Sequence, residues 1–149
     1  MTDLWLAIAH HGLVFGLAIM LAVQATLLRE GMEAQDAARI ARLDIGYGAS
    51  AGLIVIVGAL RVIYGAKGYF YYVENVWFWA KMATIALIGI LSIPPTLRFR
   101  AWASAAKADA GFTPAAEDIT RLRVYLKWEL RLLIVVVALA ATMARYTSF

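Results

Sequence analysis

The chain has 149 residues, 63% of them hydrophobic and 16% charged, with a net charge of +4 and no cysteine. A mean hydropathy of +0.73 is high for a soluble domain, and the charges gather between long apolar segments, so an integral membrane protein is expected. Without cysteine, disulfides, iron–sulfur ligation and thiol catalysis are excluded within the chain; its basic residues read as orientation signals beside a bilayer, and no nucleic-acid partner is expected.

The first apolar segment covers about residues 4–28 and has no basic residue before Leu4, which fits a retained span better than a cleaved signal. It carries the only two histidines, His10 and His11, side by side in LAIAHHGL. Neighbouring helical residues point about 100° apart, so the two cannot share a face. His10, beside the small Ala7, Ala9 and Gly12, is the one expected to look inward. Gly12 and Gly16, and on the next segment Gly48 and Gly52, have the spacing of closely packed membrane helices.

From Glu33 to Leu43 the sequence is alanine-rich, lacks a helix breaker and carries Asp36 just ahead of Arg39. A helix is therefore expected to run from outside the bilayer straight into the second span, about residues 43–64. The aromatic stretch GYFYYVENVWFW, Gly68 to Trp79, reads as an interfacial belt with a short external segment. A third span follows over about residues 76–97. Near its end Pro94 and Pro95 remove two amide donors, which is expected to stop or bend the helix and free carbonyls near Ile90 and Leu91.

Ala101 to Gly111 is a linker of small residues. Thr113 as cap and Pro114 in the first helical position signal a new start, with Glu117 and Asp118 suiting the positive helix end. That helix is expected to run to Arg145, with the fourth span at about residues 124–144. Its uninterrupted apolar run is only Leu132 to Ala144, so Lys127, Glu129 and Arg131 must sit near the headgroups.

Each segment is close to the ~20 residues that cross a bilayer as a helix, and only helices satisfy an isolated backbone in lipid. The expected fold is an all-α, integral membrane four-helix bundle, one domain over residues 1–149, with helices extended into the cytoplasm. Arg29, Arg39 and Arg42 lie in one linker and Arg98, Arg100, Lys107, Arg121 and Arg123 in another, whereas Lys67 and Arg145 lie at the opposite end. The basic linkers are therefore expected in the cytoplasm and both termini in the periplasm of a bacterial inner membrane.

Counting from the span ends puts His10 about 9 Å into span one and Lys81 about 7.5 Å into span three, both from the periplasmic side. Arg61 closes span two on that side. Lysine buried there needs an acid, a carbonyl, water or an anionic ligand, and only Asp3 and Glu74 are nearby acids. This suits an outward polar cavity for a carboxylate-bearing, anionic amphiphile. At the other end Asp44 and Glu129 are the deepest acids, with Arg42, Arg98 and Arg131 as partners that would orient the helices. Two adjacent histidines without cysteine or paired acids do not make a zinc or di-iron site, and no metal site is expected. Haem b needs fewer protein ligands, because its ring supplies four, and His10 is the candidate.

HHG at Ala9 to Gly12, ARLDIGYG at Ala41 to Gly48, LRVIYGAKGYFYYVENVWFWAK at Leu60 to Lys81 and SIPPTLRF at Ser92 to Phe99 resemble a bacterial inner-membrane family, the domain of unknown function numbered 2214. That resemblance implies four spans and carries no activity. A more distant similarity is to the HemJ-type protoporphyrinogen oxidases, which have a histidine early in the first span and a lysine in the third. His10 and Lys81 match those features, with Trp79 just before the lysine. The similarity implies porphyrin as ligand and haem b as cofactor.

Three functions follow from these readings. In an enzyme, Lys81 and Arg61 hold ligand carboxylates, His10 accepts a proton or ligates haem, and a cofactor takes electrons. In a non-catalytic assembly subunit the polar groups join protomers, and a homo-oligomer is expected because four short spans enclose little volume. In a small transporter or channel component, Asp44 and Glu129 connect through water to the His10 level.

Overall fold

The computed structural model describes residues 1–146; the last three residues of the expected domain lie outside the described residues. Helix α1 spans Thr2–Leu27, α2 Ala34–Tyr64, α3 Tyr69–Val73, α4 Val76–Ala108 and α5 Ala116–Arg145. By length and composition α1, α2 and α4 can cross a membrane, making the chain an all-α, multi-pass membrane protein with three candidate spans. The fourth expected span falls within α5. That helix has 30 residues, but Glu129, Arg131 and Arg145 frame its apolar half and lower its hydropathy.

The four long helices pack in a ring: α1 on α2, α2 on α4, α4 on α5 and α5 back on α1. Among the described residues the diagonal partners, α1 with α4 and α2 with α5, make no close backbone approach, and Tyr47 of α2 reaches Glu129 of α5 through its side chain. Tight burial is concentrated at one end of the ring. Leu21 and Leu28 of α1's second half, Ile40 early in α2, Phe99 late in α4, and Ile119 and Leu126 early in α5 are all essentially inaccessible. On α1 the buried residues are Leu17, Leu21 and Gln24, and Leu28 follows at the helix end. This three-and-four spacing is the inner seam of an amphipathic helix. Along the middle of the bundle, Phe15, Ile90 and Ile134 point outward and are 68%, 62% and 71% exposed. Such a division is physical: water drives apolar burial where helices leave the bilayer, while lipid offers no such drive within it.

Three local expectations are corrected. Helix α4 runs unbroken through Pro94 and Pro95 to Ala108, absorbing most of the expected linker. Each mid-helix proline costs roughly 3 kcal/mol, and the burial of Phe99 and Trp102 just beyond, at roughly 1.5–3 kcal/mol for each, works against that cost. Helix α5 starts at Ala116 after Ala115, so neither Thr113 nor Pro114 caps it. The glycines also differ from expectation: a methyl group at Gly12, Gly16, Gly48 or Gly52 would meet nothing within 4 Å. The close approach is made at Gly46, where an added Cβ would stand 3.1 Å from Met20 Sδ, and at Gly58, beneath the ring of His10.

The α1–α2 turn is held from both sides. Gly31 takes φ 73°, a left-handed conformation that glycine adopts without strain. Arg29 bridges to Asp36 at 3.3 Å, and Arg123 of α5 donates from Nε to the Leu28 carbonyl at 2.8 Å. Helix α2 begins at Ala34 and is continuous into its apolar portion, as the alanine-rich stretch implied.

Candidate functional site

Two polar layers lie along the interior. The outer one collects His10 from α1, Arg61 from the last turn of α2 and Lys81 from the first turns of α4. His10 is half-buried and its ring packs over Gly58, with Cε1 3.5 Å from where a Cβ would be. His11 is exposed and donates from Nδ1 to the Ala7 carbonyl at 2.6 Å, so the two imidazoles face different surroundings. The charges of Arg61 and Lys81 both reach His10, and that of Arg61 reaches Lys81.

Few protein groups satisfy this layer. Among the described residues, His10 Nδ1 and Arg61 Nε are buried atoms without a hydrogen-bond partner. The four ion pairs among the described residues involve neither Arg61 nor Lys81. Lys81 Nζ lies 3.9 Å from Met143 Sδ and 5.4 Å from the centre of the Phe78 ring, both weak partners for an ammonium. Met143 therefore belongs to this layer. Met20 sits deeper, against Gly46. Asp3 reaches the rim near Gly65.

The aromatic segment closes this end. Asn75 caps α4 by accepting from the Trp77 amide at 2.9 Å, and its Nδ2 donates to the Tyr146 carbonyl at 3.3 Å. Tyr71 donates to the Met143 carbonyl at 2.7 Å and accepts from Lys67 at 2.9 Å. Helix α3 and Asn75 thereby clip the end of α5. Asn75 was readable as a cap, since asparagine directly precedes the apolar run VWFW.

The inner layer differs from expectation. Asp44 and Glu129 are buried, but their partners are hydroxyls: Thr96 Oγ1 donates to Asp44 Oδ1 at 3.1 Å, and Tyr47 Oη donates to Glu129 Oε2 at 2.9 Å. Arg98 instead pairs with Asp118, and Arg131 stacks 5.1 Å from the Trp128 ring. Helical geometry explains the exchange. Arg98 is two residues from Thr96 and Arg131 two from Glu129, about 200° around the axis, so when one faces inward the other faces out. Gln24, 2% exposed and with Nε2 unpartnered, is the polar member of the inner seam that sequence reading passed over.

Two clefts open at the inner-layer end. One of about 290 Å³ is lined by Pro94, Arg98, Asp118, Arg121, Leu122 and Tyr125; another of about 260 Å³ by Ala38, Ala41, Arg42, Ile45, Ala103 and Lys107. The outward cavity expected from the sequence is neither of these.

Long apolar helices around buried polar layers define an integral, multi-pass membrane protein. Residues 2–147 match the family described as a predicted membrane protein (DUF2214), and the chain belongs to it. No curated protein and no solved structure matches the chain, and the HemJ-type similarity finds no support in these comparisons.

Proposed function

We propose that the chain is a four-span inner-membrane protein that holds an anionic amphiphile, an apolar body with a carboxylate or phosphate head, at its outer polar layer. Helix α5 is the fourth span of the bundle: at about 45 Å it exceeds the bilayer core, and its Arg131 and Lys127 snorkel to the headgroups. Both termini are periplasmic, because the basic linkers gather at the other end.

One observation carries the ligand reading. His10, Arg61 and Lys81 come from three helices to one end, with two buried nitrogens unpartnered and no carboxylate paired to either cation among the described residues. Unpaired cations in a low-dielectric setting are costly, and an anionic head supplies the missing charge and acceptors. Arg61 offers a fork and Lys81 a point charge, while the apolar body lies among the surrounding helices. Porphyrins with propionate groups are such amphiphiles. Were the amphiphile haem b, His10 would be the residue to hold its iron, with the Met143 thioether near Lys81 in the same layer. Redox chemistry is then what the haem supplies, and the residues bind and orient it.

Native mass spectrometry of protein released in mild detergent tests this reading. A retained anionic amphiphile that is lost in Arg61→Gln/Lys81→Gln is the expected result. A Soret band that disappears in His10→Ala identifies the haem version. No retained molecule, together with no uptake of haem b, protoporphyrin IX or anionic phospholipid, overturns it.

A second reading, a homo-oligomeric assembly subunit, is favoured by the exposed Gly48 and Gly52, whose outer face leaves room for another helix. Sedimentation in detergent distinguishes the two.

A further inference from the structure

The inner layer is about 21 Å from the outer one, counted along α2 from Tyr47 to Arg61, and has the opposite character. Asp44 and Glu129 are 6% and 1% exposed, and among the described residues neither forms an ion pair with lysine, arginine or histidine. Both accept instead from neutral hydroxyls, Thr96 of α4 and Tyr47 of α2. Two carboxylates that are ionised and matched only by hydroxyls in a water-poor interior are strongly disfavoured.

Gln24 supplies an independent sign of an incomplete site. Helix α1 runs antiparallel to α2, with Met20 against Gly46 and His10 against Gly58, so Gln24 is level with the first turns of α2 around Asp44. Arg123 reaches the Leu28 carbonyl, which also brings Gln24 level with the α5 turn that leads to Glu129. It shares the inner seam with Leu17, Leu21 and Leu28, is 2% exposed, and its amide nitrogen has no partner. All four long helices therefore bring a polar group to one interior layer.

We propose that this layer binds a single positive charge, a proton or an alkali cation, between the carboxyls of Asp44 and Glu129, with Gln24, Tyr47 and Thr96 completing its surroundings. Carboxylate and hydroxyl oxygens are the hard donors that alkali cations prefer, and two carboxyls suit one monovalent charge better than a divalent ion with its larger acid requirement. The free Gln24 Nε2 is itself a hydrogen-bond donor, so its partner in the occupied site is a carboxylate oxygen or a water carried with the charge. The charged and titratable groups around the layer are few: Asp44 and Tyr47 on α2, Glu129 on α5, and Arg100 on α4, an exposed side chain whose charge reaches Asp44. Gln24 is α1's neutral contribution. The site uses none of His10, Arg61 and Lys81, so it stands or falls separately from the outer layer.

Dicyclohexylcarbodiimide, an apolar reagent that attacks protonated carboxyls, tests the proposal on the full chain in nanodiscs. Modification mapped by mass spectrometry to Glu129 or Asp44 is expected. If the charge is an alkali cation, sodium, lithium or potassium at fixed pH slows the labelling about tenfold at ten times its dissociation constant, and choline does not. If it is a proton, only raising the pH slows it. Gln24→Leu weakens the cation protection in the first case and changes the pH at which labelling falls in the second. Carboxyls that stay unlabelled at every pH the protein tolerates, with an unfolding midpoint indifferent to alkali salts, overturn the proposal.

Discussion

Tyr47 and Glu129 join α2 to α5 across a diagonal that no backbone contact spans, through one hydrogen bond of 2.9 Å from the phenol to Oε2. Both side chains are buried, at 4% and 1% exposure. Tyr47→Phe keeps the ring and removes the one hydroxyl that reaches this carboxyl among the described residues. A loss of about 1–3 kcal/mol is expected, read as a lower unfolding midpoint in detergent. An unchanged midpoint would show that the bond contributes nothing.

The glycines give a contrast on a single helix. Gly46→Leu drives a side chain into Met20, already 3.1 Å from the added Cβ, and should cost about 1–3 kcal/mol. Gly48→Leu points into open space and should be neutral or stabilise by up to about 1 kcal/mol through helix propensity. Equal effects in a denaturation series would mean that the register of α1 on α2 is wrong.

Asn75 serves α4 as cap and α5 as clip. Asn75→Ala should destabilise by about 0.5–2 kcal/mol, with faster hydrogen exchange at the Trp77 amide. Asn75→Asp retains the cap acceptor and loses the donor to Tyr146, so it should protect Trp77 while loosening the end of α5.

Arg123 ties the start of α5 to the carbonyl that closes α1, at 2.8 Å. Arg123→Met keeps the apolar stem and removes the donor. Exchange should rise in the turn from Leu28 to Glu33, with a loss of about 1.5–3 kcal/mol, because the donor is charged. Exchange that rises only within α5 would contradict a link to α1.

The long helices were legible because apolar runs of spanning length have few other uses, and the α2 extension because an alanine-rich stretch without a breaker continues whatever helix follows it. The shared end of His10, Arg61 and Lys81 followed from counting residues inward from the span ends. Other features depended on tertiary packing. Pro94 and Pro95 obey a local rule that the buried Phe99 and Trp102 override. Glycine spacing reveals a helix face but not whether a neighbour lies against it, which is why Gly46 and Gly58 were missed. Tyr47, Thr96 and Gln24 could become partners of an acidic layer only once four helices were set around one interior. The arginines expected there were close in sequence to the inward-facing polar residues, yet two helical positions turned them away.

The most direct measurement is a double-mutant cycle on protoporphyrin IX affinity in nanodiscs, combining Arg61→Gln with Lys81→Gln. If both side chains hold one anionic ligand, each single change should weaken binding about tenfold, near 1.4 kcal/mol, and the pair should depart from additivity by more than about 0.5 kcal/mol. Wild-type affinity in both single variants, or strict additivity between them, would contradict a shared outer site.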